Sequence, residues 1–312
     1  MTRFCIIIIA ILFVLPVEGA VQEPEARHRE EIEKVLAKAP KPASGDSLRE
    51  LTIVLIADKK DHGPNEHDYP LWQKRWSLLL GGKQAADSET QLNLYGPSSP
   101  SGSGDAACKG APRVKVIQTL QWPTEEQWKS ANLVVAFCYI GWDEQKFKDL
   151  ESYLARGGGL VMIHSATWTK PAPSSRLAAI AGVGGFTQWR HGQLELKIDT
   201  THPICLGLPE HLCFYDEPYW PPSPAVSPDQ IHVLATSVEK LKKNSETLTS
   251  QPMFWSRQQG KGRVYGCVPG HYTWTFDDPY FRILLLRGMA WAAGETPCRF
   301  DSLVLHGARV AP

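Results

Sequence analysis

Leu51-Thr52-Ile53-Val54-Leu55-Ile56-Ala57, followed three residues later by Asp61-His62-Gly63-Pro64-Asn65-Glu66-His67-Asp68-Tyr69-Pro70, decides how the rest of the chain is read. Thr52 is the one polar residue of the first run, which reads as a strand buried on both faces, the pattern of a parallel strand between helix layers. The second run gathers two imidazoles and three carboxylates just beyond the end of that strand. In open α/β sheets, ligands bind in the crevice outside the carboxyl ends of the strands. Asp68 and Pro70 also suit the cap and first turn of a helix over Tyr69–Leu80, with Trp72, Trp76, Leu79 and Leu80 on its inner face.

Strand and helix patterns alternate from there. Val114–Gln118 reads as a strand, Thr124–Lys129 as a short helix, Asn132–Cys138 as a strand, Asp143–Arg156 as a helix stopped by Gly157-Gly158-Gly159, and Leu160–His164 as a strand. This rhythm predicts an α/β fold with a parallel sheet and helices on both faces. The second half is less regular: Gln193–Ile198, Ile231–Thr236 and Gly262–Cys267 read as strands and Pro279–Ala293 as a long apolar helix. One elaborated domain over residues 49–296 accounts for the pattern. A leader over 21–48 with a thin apolar stripe (Ile32, Val35, Leu36) is expected to dock weakly or stay mobile, and a short tail follows over 297–312. Pro97–Gly104 reads as a flexible surface insertion.

The chain has 312 residues, 43% of them hydrophobic, and a formal net charge of zero. No basic patch is evident, which argues against a nucleic-acid partner. Arg3 ahead of the apolar run Cys5–Leu15, then Pro16-Val17-Glu18-Gly19-Ala20, has the form of a secretory signal over residues 1–20. That run is too short to span a bilayer comfortably, so export to the periplasm or medium is expected, with no transmembrane anchor after cleavage. Six cysteines remain beyond Cys5 and allow fifteen pairings. Cys138 and Cys267 lie in apolar runs as small hydrophobes, and Cys205–Cys213 is the pairing to expect if one forms.

Four polar clusters fall at expected strand ends, and in such a sheet they open on one rim: the loop with His62, Glu66, His67 and Asp68; Tyr139-Ile140-Gly141-Trp142; His164-Ser165-Ala166-Thr167-Trp168; and Pro269-Gly270-His271-Tyr272-Thr273-Trp274. Phe214-Tyr215-Asp216-Glu217-Pro218-Tyr219 adds paired carboxylates, either of which could orient a rim histidine. A lone histidine beside an apolar strand is more often a hydrogen-bonded packing residue than a catalyst, and His164 and His271 taken singly read either way. Phe186-Thr187-Gln188-Trp189-Arg190-His191-Gly192, in a connection, is a further piece that could join the rim, although His191 and His202 taken singly read as local features of connections, and Asp277-Asp278-Pro279 reads as a helix cap. His62, Glu66, His67 and a rim histidine could supply three or four ligands to a divalent metal, although the spacing matches no standard zinc signature. No other cofactor is implied. A covalent nucleophile has less support, because the strand-to-helix position that carries Cys or Ser in G-x-C/S-x-G elbows holds His164-Ser165-Ala166 here.

Gly63–Pro70, His164–Trp168, Asp216–Tyr219, Gly260–Tyr265 leading to Gly270-His271, and Trp291-Ala292-Ala293-Gly294 together resemble the ThuA-like (trehalose-utilisation) family over about residues 51 to 294. The resemblance implies a class I glutamine-amidotransferase-like, flavodoxin-type fold and a link to carbohydrate use, on keto sugars or disaccharide derivatives. The missing elbow cysteine sets the chain apart from glutaminases.

Two readings follow. In the first, an enzyme of hydrolase, lyase or isomerase type acts on a sugar derivative. His67 and His164 are its acid/base candidates, Glu66 and Asp216 orient or ligate, and His271 polarises a substrate oxygen. His62, Trp142, Ser165, Trp168, Glu217 and Tyr219 bind substrate. In the second, a sugar-binding or scaffold protein keeps the fold without chemistry. So many titratable groups on one rim favour the first reading.

Overall fold

The computed structural model describes residues 23–40, 47–82, 91–96, 108–227, 229–242 and 244–312. The expected signal segment and the Pro97–Gly104 insertion lie outside them. In chain order the elements are β1 (Arg27–His28), α1 (Arg29–Leu36), β2 (Leu51–Ala57), α2 (Tyr69–Gly81), β3 (Val114–Leu120), α3 (Glu125–Ser130), β4 (Leu133–Ala136), α4 (Glu144–Ala155), β5 (Gly159–Ile163), α5 (Ser175–Ala181), β6 (Phe186–Trp189), β7 (Gly192–Ile198), β8 (His211–Asp216), β9 (Tyr219–Pro222), β10 (His232–Lys240), β11 (Leu248–Gln259), β12 (Gly262–Cys267), α6 (Pro279–Ala292) and β13 (Val310–Ala311).

Nine strands form one sheet in the order β3-β2-β4-β5-β12-β11-β10-β7-β8. The five from β3 to β12 pair in parallel, and the rest pair antiparallel. The sheet is therefore mixed: the expected parallel sheet accounts for its first five strands, and the C-terminal half extends it with antiparallel ones. Burial explains both halves. β2, β4 and β5 are almost wholly buried, as strands sandwiched between helices must be, whereas β7 and β8 alternate buried and exposed residues, as strands with one wet face do. The side chain of Tyr265 in β12 meets Gly288 of α6, while Trp255, packed over the next residue Gly266, donates to the Ala181 carbonyl of α5. Successive strand residues face opposite ways, so α5 and α6 cover opposite faces of the sheet.

The cap residues act as their sequences suggest. Asp68 accepts from Leu71 N at 3.2 Å, and Asp278 from Tyr280 N at 2.9 Å. The leader departs from expectation. Ile32 and Val35 of α1 are buried in the core, β1 pairs in parallel with β13, and Arg27 binds Asp278 at 2.9 Å. A stripe too thin to hold a helix alone is enough when a strand pair and an ion pair dock it as well. Phe300, Leu303 and Val304 of the tail are core residues too. All six cysteines beyond Cys5 are free thiols, so no Cys205–Cys213 bridge forms. Cys205 is buried in the core, whereas Cys213 lies half-buried in β8. Among the described residues no helix is long and apolar enough to cross a membrane.

Candidate functional site

Beyond the carboxyl ends of the parallel strands lies a cavity of about 340 Å³. It is lined by Asp61, His62, Glu66, His67, Tyr69, Tyr139, Ser165, Trp168, Lys170, Trp189, His191, Glu217, Tyr219 and His271. Its volume lies at the small end of the roughly 300–1,000 Å³ usual for small-molecule sites.

Backbone strain sets the floor. His164 stands where β5 turns into a 3-10 turn, with φ +48°, and His67 has φ +40°. Left-handed backbone is costly for residues with a Cβ and persists where the surroundings over-determine it. Here they do. His67 N donates to His271 O at 2.9 Å, Thr273 N donates to Asn65 O at 2.8 Å, and Glu66 bridges Tyr272, so the loops after β2 and β12 are laced together. Gly270, at φ +137°, leaves the room this needs: a Cβ there would lie 3.0 Å from Ile163 and 3.2 Å from His164.

Four side chains converge on one point. His67 Nε2 lies 2.9 Å from His164 Nε2 and 3.0 Å from His271 Nδ1. Glu217 Oε2 lies 3.2 Å from His164 Nε2 and 2.9 Å from His271 Nδ1. Tyr219 stacks on the His164 ring, its hydroxyl 2.7 Å from His164 Nε2 and 3.1 Å from Glu217 Oε2. All of these side chains are buried. The other edges of two imidazoles are committed: His164 Nδ1 donates to Val268 O at 2.7 Å, and His67 Nδ1 stands 2.9 Å from the Tyr69 hydroxyl and 3.0 Å from Asp61 Oδ1. Asp61 also holds His62 at 2.8 Å and accepts from the Tyr69 hydroxyl at 3.2 Å.

The electrostatics follow from burial and neighbours. Burial, aided by the charges of His164, His271 and His62, holds the His67 imidazole far below its usual value, so it stays neutral. Burial alone would raise the Glu217 carboxyl, but hydrogen bonds and charge from His164 and His271 outweigh it and hold it well below the usual range. Burial would likewise lower His271, and Glu217 outweighs it, so its pKa is raised. Burial beside Glu217 pushes the Tyr219 hydroxyl well up, keeping it a proton donor.

His62, Glu66, His67, His164, Ser165, Trp168, Glu217, Tyr219 and His271 all reach the cavity or its floor, as the sequence suggested. Two expected residues do not. Asp216 is fully buried and faces backbone: Oδ1 accepts from Glu217 N, Gly270 N and His271 N at 2.7, 3.1 and 3.0 Å, and Oδ2 from the Thr275 hydroxyl. It positions Glu217 and His271 without meeting the cavity. Trp142 stacks on Phe147 with ring centroids 5.0 Å apart and packs edge-on to Trp122, away from the crevice. Conversely, His191, expected to be local, lines the cavity 3.8 Å from Glu217. Asp61, Tyr69, Tyr139 and Trp189, which stand in the quoted segments but were given no role, line it as well, and Lys170 was missed. Asp61 was legible as part of the quoted run, whereas Trp189 and His191 arrive through the β6–β7 connection, whose place only the fold sets.

A buried set of three imidazoles and a carboxylate within 4.8 Å of one another is also a donor set for a metal ion, and Asp61, His62 and His67 form a second, more exposed one. Fold and crevice together define an α/β protein with a large mixed sheet and a buried histidine, His164, at the turn that ends β5. Residues 106–292 match the family model for ThuA, described as trehalose utilisation, and the chain belongs to that family. It is similar in structure to a ThuA-like protein from Parabacteroides merdae ATCC 43184, at 19% identity and TM-score 0.53 over 80% of this chain and 92% of that one. A ThuA-like protein from Bacteroides uniformis ATCC 8492 matches at 16% identity and TM-score 0.53, over 83% of this chain and 99% of that one. No curated protein matches the chain.

Proposed function

We propose that the protein is an exported enzyme of carbohydrate utilisation that acts on a disaccharide of the trehalose type or a keto-bearing derivative, by proton transfer at the floor of the crevice. The supporting observation is the meeting of His67, His164, His271 and Glu217, each from a different loop or strand, at the base of an open cavity. Packing alone gives no reason to gather three buried imidazoles. The inward Nε2 atoms of His67 and His164 accept from a substrate hydroxyl, while the Tyr219 hydroxyl donates to a substrate oxygen. His67, held far below neutrality, is too weak a base to carry a proton during turnover. The proton carriers are His271, whose raised pKa suits the task, and Glu66, whose Oε1 lies 3.7 Å from His271 Nε2. Trp168, Trp189 and Tyr139 wall the cavity and offer apolar faces to a sugar ring.

The test is product analysis beside calorimetry on a panel of disaccharides and their keto forms. Conversion of at least one sugar, lost in His271→Ala, is the expected result. Sugar binding without conversion of any panel member would favour a non-catalytic sugar-binding protein instead.

A further inference from the structure

We propose that His67 Nε2, His164 Nε2, His271 Nδ1 and Glu217 Oε2 bind one divalent first-row transition-metal ion, zinc foremost. The inference goes beyond the proton-transfer reading and stands or falls apart from it.

The argument is a count of protons. Val268 O, a carbonyl oxygen, can only accept, so His164 carries a proton on Nδ1. His67 Nδ1 stands 3.0 Å from Asp61 Oδ1 and 2.9 Å from the Tyr69 hydroxyl, and with the Tyr69 proton directed at Asp61 Oδ2 it donates to Asp61 Oδ1. In the arrangement with both rings neutral, their Nε2 atoms are lone pairs facing each other across 2.9 Å. Glu217 Oε2 adds a third acceptor at the same point. The protons available there are one on the Tyr219 hydroxyl, shared between His164 and Glu217, and one on His271 Nδ1, shared between Glu217 and His67. Two protons serve three converging acceptors, and a central cation would satisfy them all.

His271 completes the pattern. Its Nε2 is buried without a hydrogen-bond partner, yet faces Glu66 Oε1 at 3.7 Å. Ligation through Nδ1 would place its proton on Nε2, toward that carboxylate. Each of the three imidazoles then has an outer acceptor, namely Asp61, Val268 O or Glu66, which is how proteins fix the tautomer and orientation of metal-bound histidines. Bonds of about 2.1 Å at tetrahedral angles place ligand atoms roughly 3.4 Å apart. The four closest pairs here stand at 2.9, 3.0, 3.2 and 2.9 Å, so a shift of a few tenths of an ångström would admit the ion. Nitrogen-rich donors without thiolate suit zinc and its neighbours over magnesium or calcium. His67, Glu217 and His271 also line the cavity, so an ion held by them would adjoin it.

The experiment takes the purified full chain, strips it with a chelator and titrates it with Zn²⁺ or Co²⁺ alone, followed by calorimetry and by the visible absorption of bound cobalt. One ion per chain with the spectrum of a nitrogen-rich tetrahedral or five-coordinate site is expected. Asp61→Asn, a cavity-wall change that spares the core, should weaken binding by about 10- to 100-fold, and His164→Ala by more. His62→Ala should leave it unchanged. Binding in the stripped wild type that equals His67→Ala/His164→Ala, or that His62→Ala removes while His164→Ala does not, would overturn the proposal. Sugar conversion by a protein that binds no ion would sink this inference and leave the proton-transfer reading standing. Ion binding without conversion of any sugar would do the reverse.

Discussion

Two buried charged regions of this molecule are built on opposite plans. Behind α6, Arg287 is fully buried and forks onto Asp301, with Nε 2.9 Å from Oδ1 and Nη2 2.7 Å from Oδ2, while Nη1 donates to Leu206 O at 2.5 Å. Opposite charges meet and a spare donor finds a carbonyl, so the region is complete in itself. At the crevice floor like groups crowd instead: His67 Nε2 and His164 Nε2 stand 2.9 Å apart beside the Glu217 carboxylate, with no fixed cation among them. Burial of charge is common to both and diagnoses nothing. What marks a functional floor is a set of groups that would be satisfied only by something not part of the chain.

Matched amide substitutions should separate the two. Asp301→Asn leaves the Arg287 charge buried without its counter-ion and should lower unfolding free energy by about 3–5 kcal/mol in urea titration, with turnover per folded molecule unchanged. Glu217→Gln should do the opposite, cutting turnover of an accepted sugar by about 10²- to 10³-fold while costing less stability than Asp301→Asn. If the two exchange places, the contrast between a self-sufficient pair and an unfinished floor is wrong.

The walls should show smaller effects. Trp189 is 55% exposed at the cavity mouth, so Trp189→Ala should raise KM by roughly 2- to 12-fold, the equivalent of about 0.5–1.5 kcal/mol of ring contact, with little change in Tm. Trp142→Ala, off the crevice, should lower Tm and spare KM. A KM effect at Trp142 would restore it to the site.

The smallest expected effect is the pH dependence of stability in chelator-treated protein. The folded-state pKa of His271 is raised above 6.5, so its contribution is full below that value and is lost as pH rises through the raised pKa. That of Glu217 is depressed below 4.5, so its contribution is present above that value and is lost as pH falls through the depressed pKa. Both act together between about pH 4.5 and 6.5. The Tm difference between wild type and Glu217→Gln should be largest in that window and should narrow above it. A difference independent of pH would mean that the pair is not charged in the folded protein.

The strongly periodic elements were legible. β2, α2, β4, α4, β5, β12 and α6 lie within a few residues of the ranges expected from periodicity and caps, because near-continuous apolar runs bounded by Gly, Pro or Asp admit few other readings. β7 was read to within one residue, whereas β10 runs four residues beyond the expected Thr236 and β11 was not read as a strand, since antiparallel partners distant in sequence decide their register and length. The same holds for the site. His67, His164 and His271 stood out because each follows a readable strand. His191, Trp189 and Lys170 lie in connections whose course no local pattern sets, and Asp216 and Glu217 are indistinguishable as neighbours in sequence.

By itself the sequence determined the parallel half of the sheet, the caps of the main helices and the presence of histidines at several strand ends, since each is fixed by residues close together in the chain. The tertiary structure alone decided that three of those imidazoles share one point, that Glu217 and not Asp216 joins them, and that Trp142 faces away. Those outcomes depend on the angles at which distant segments cross and on which of two alternating side chains a strand turns inward, and neither is written in local propensity.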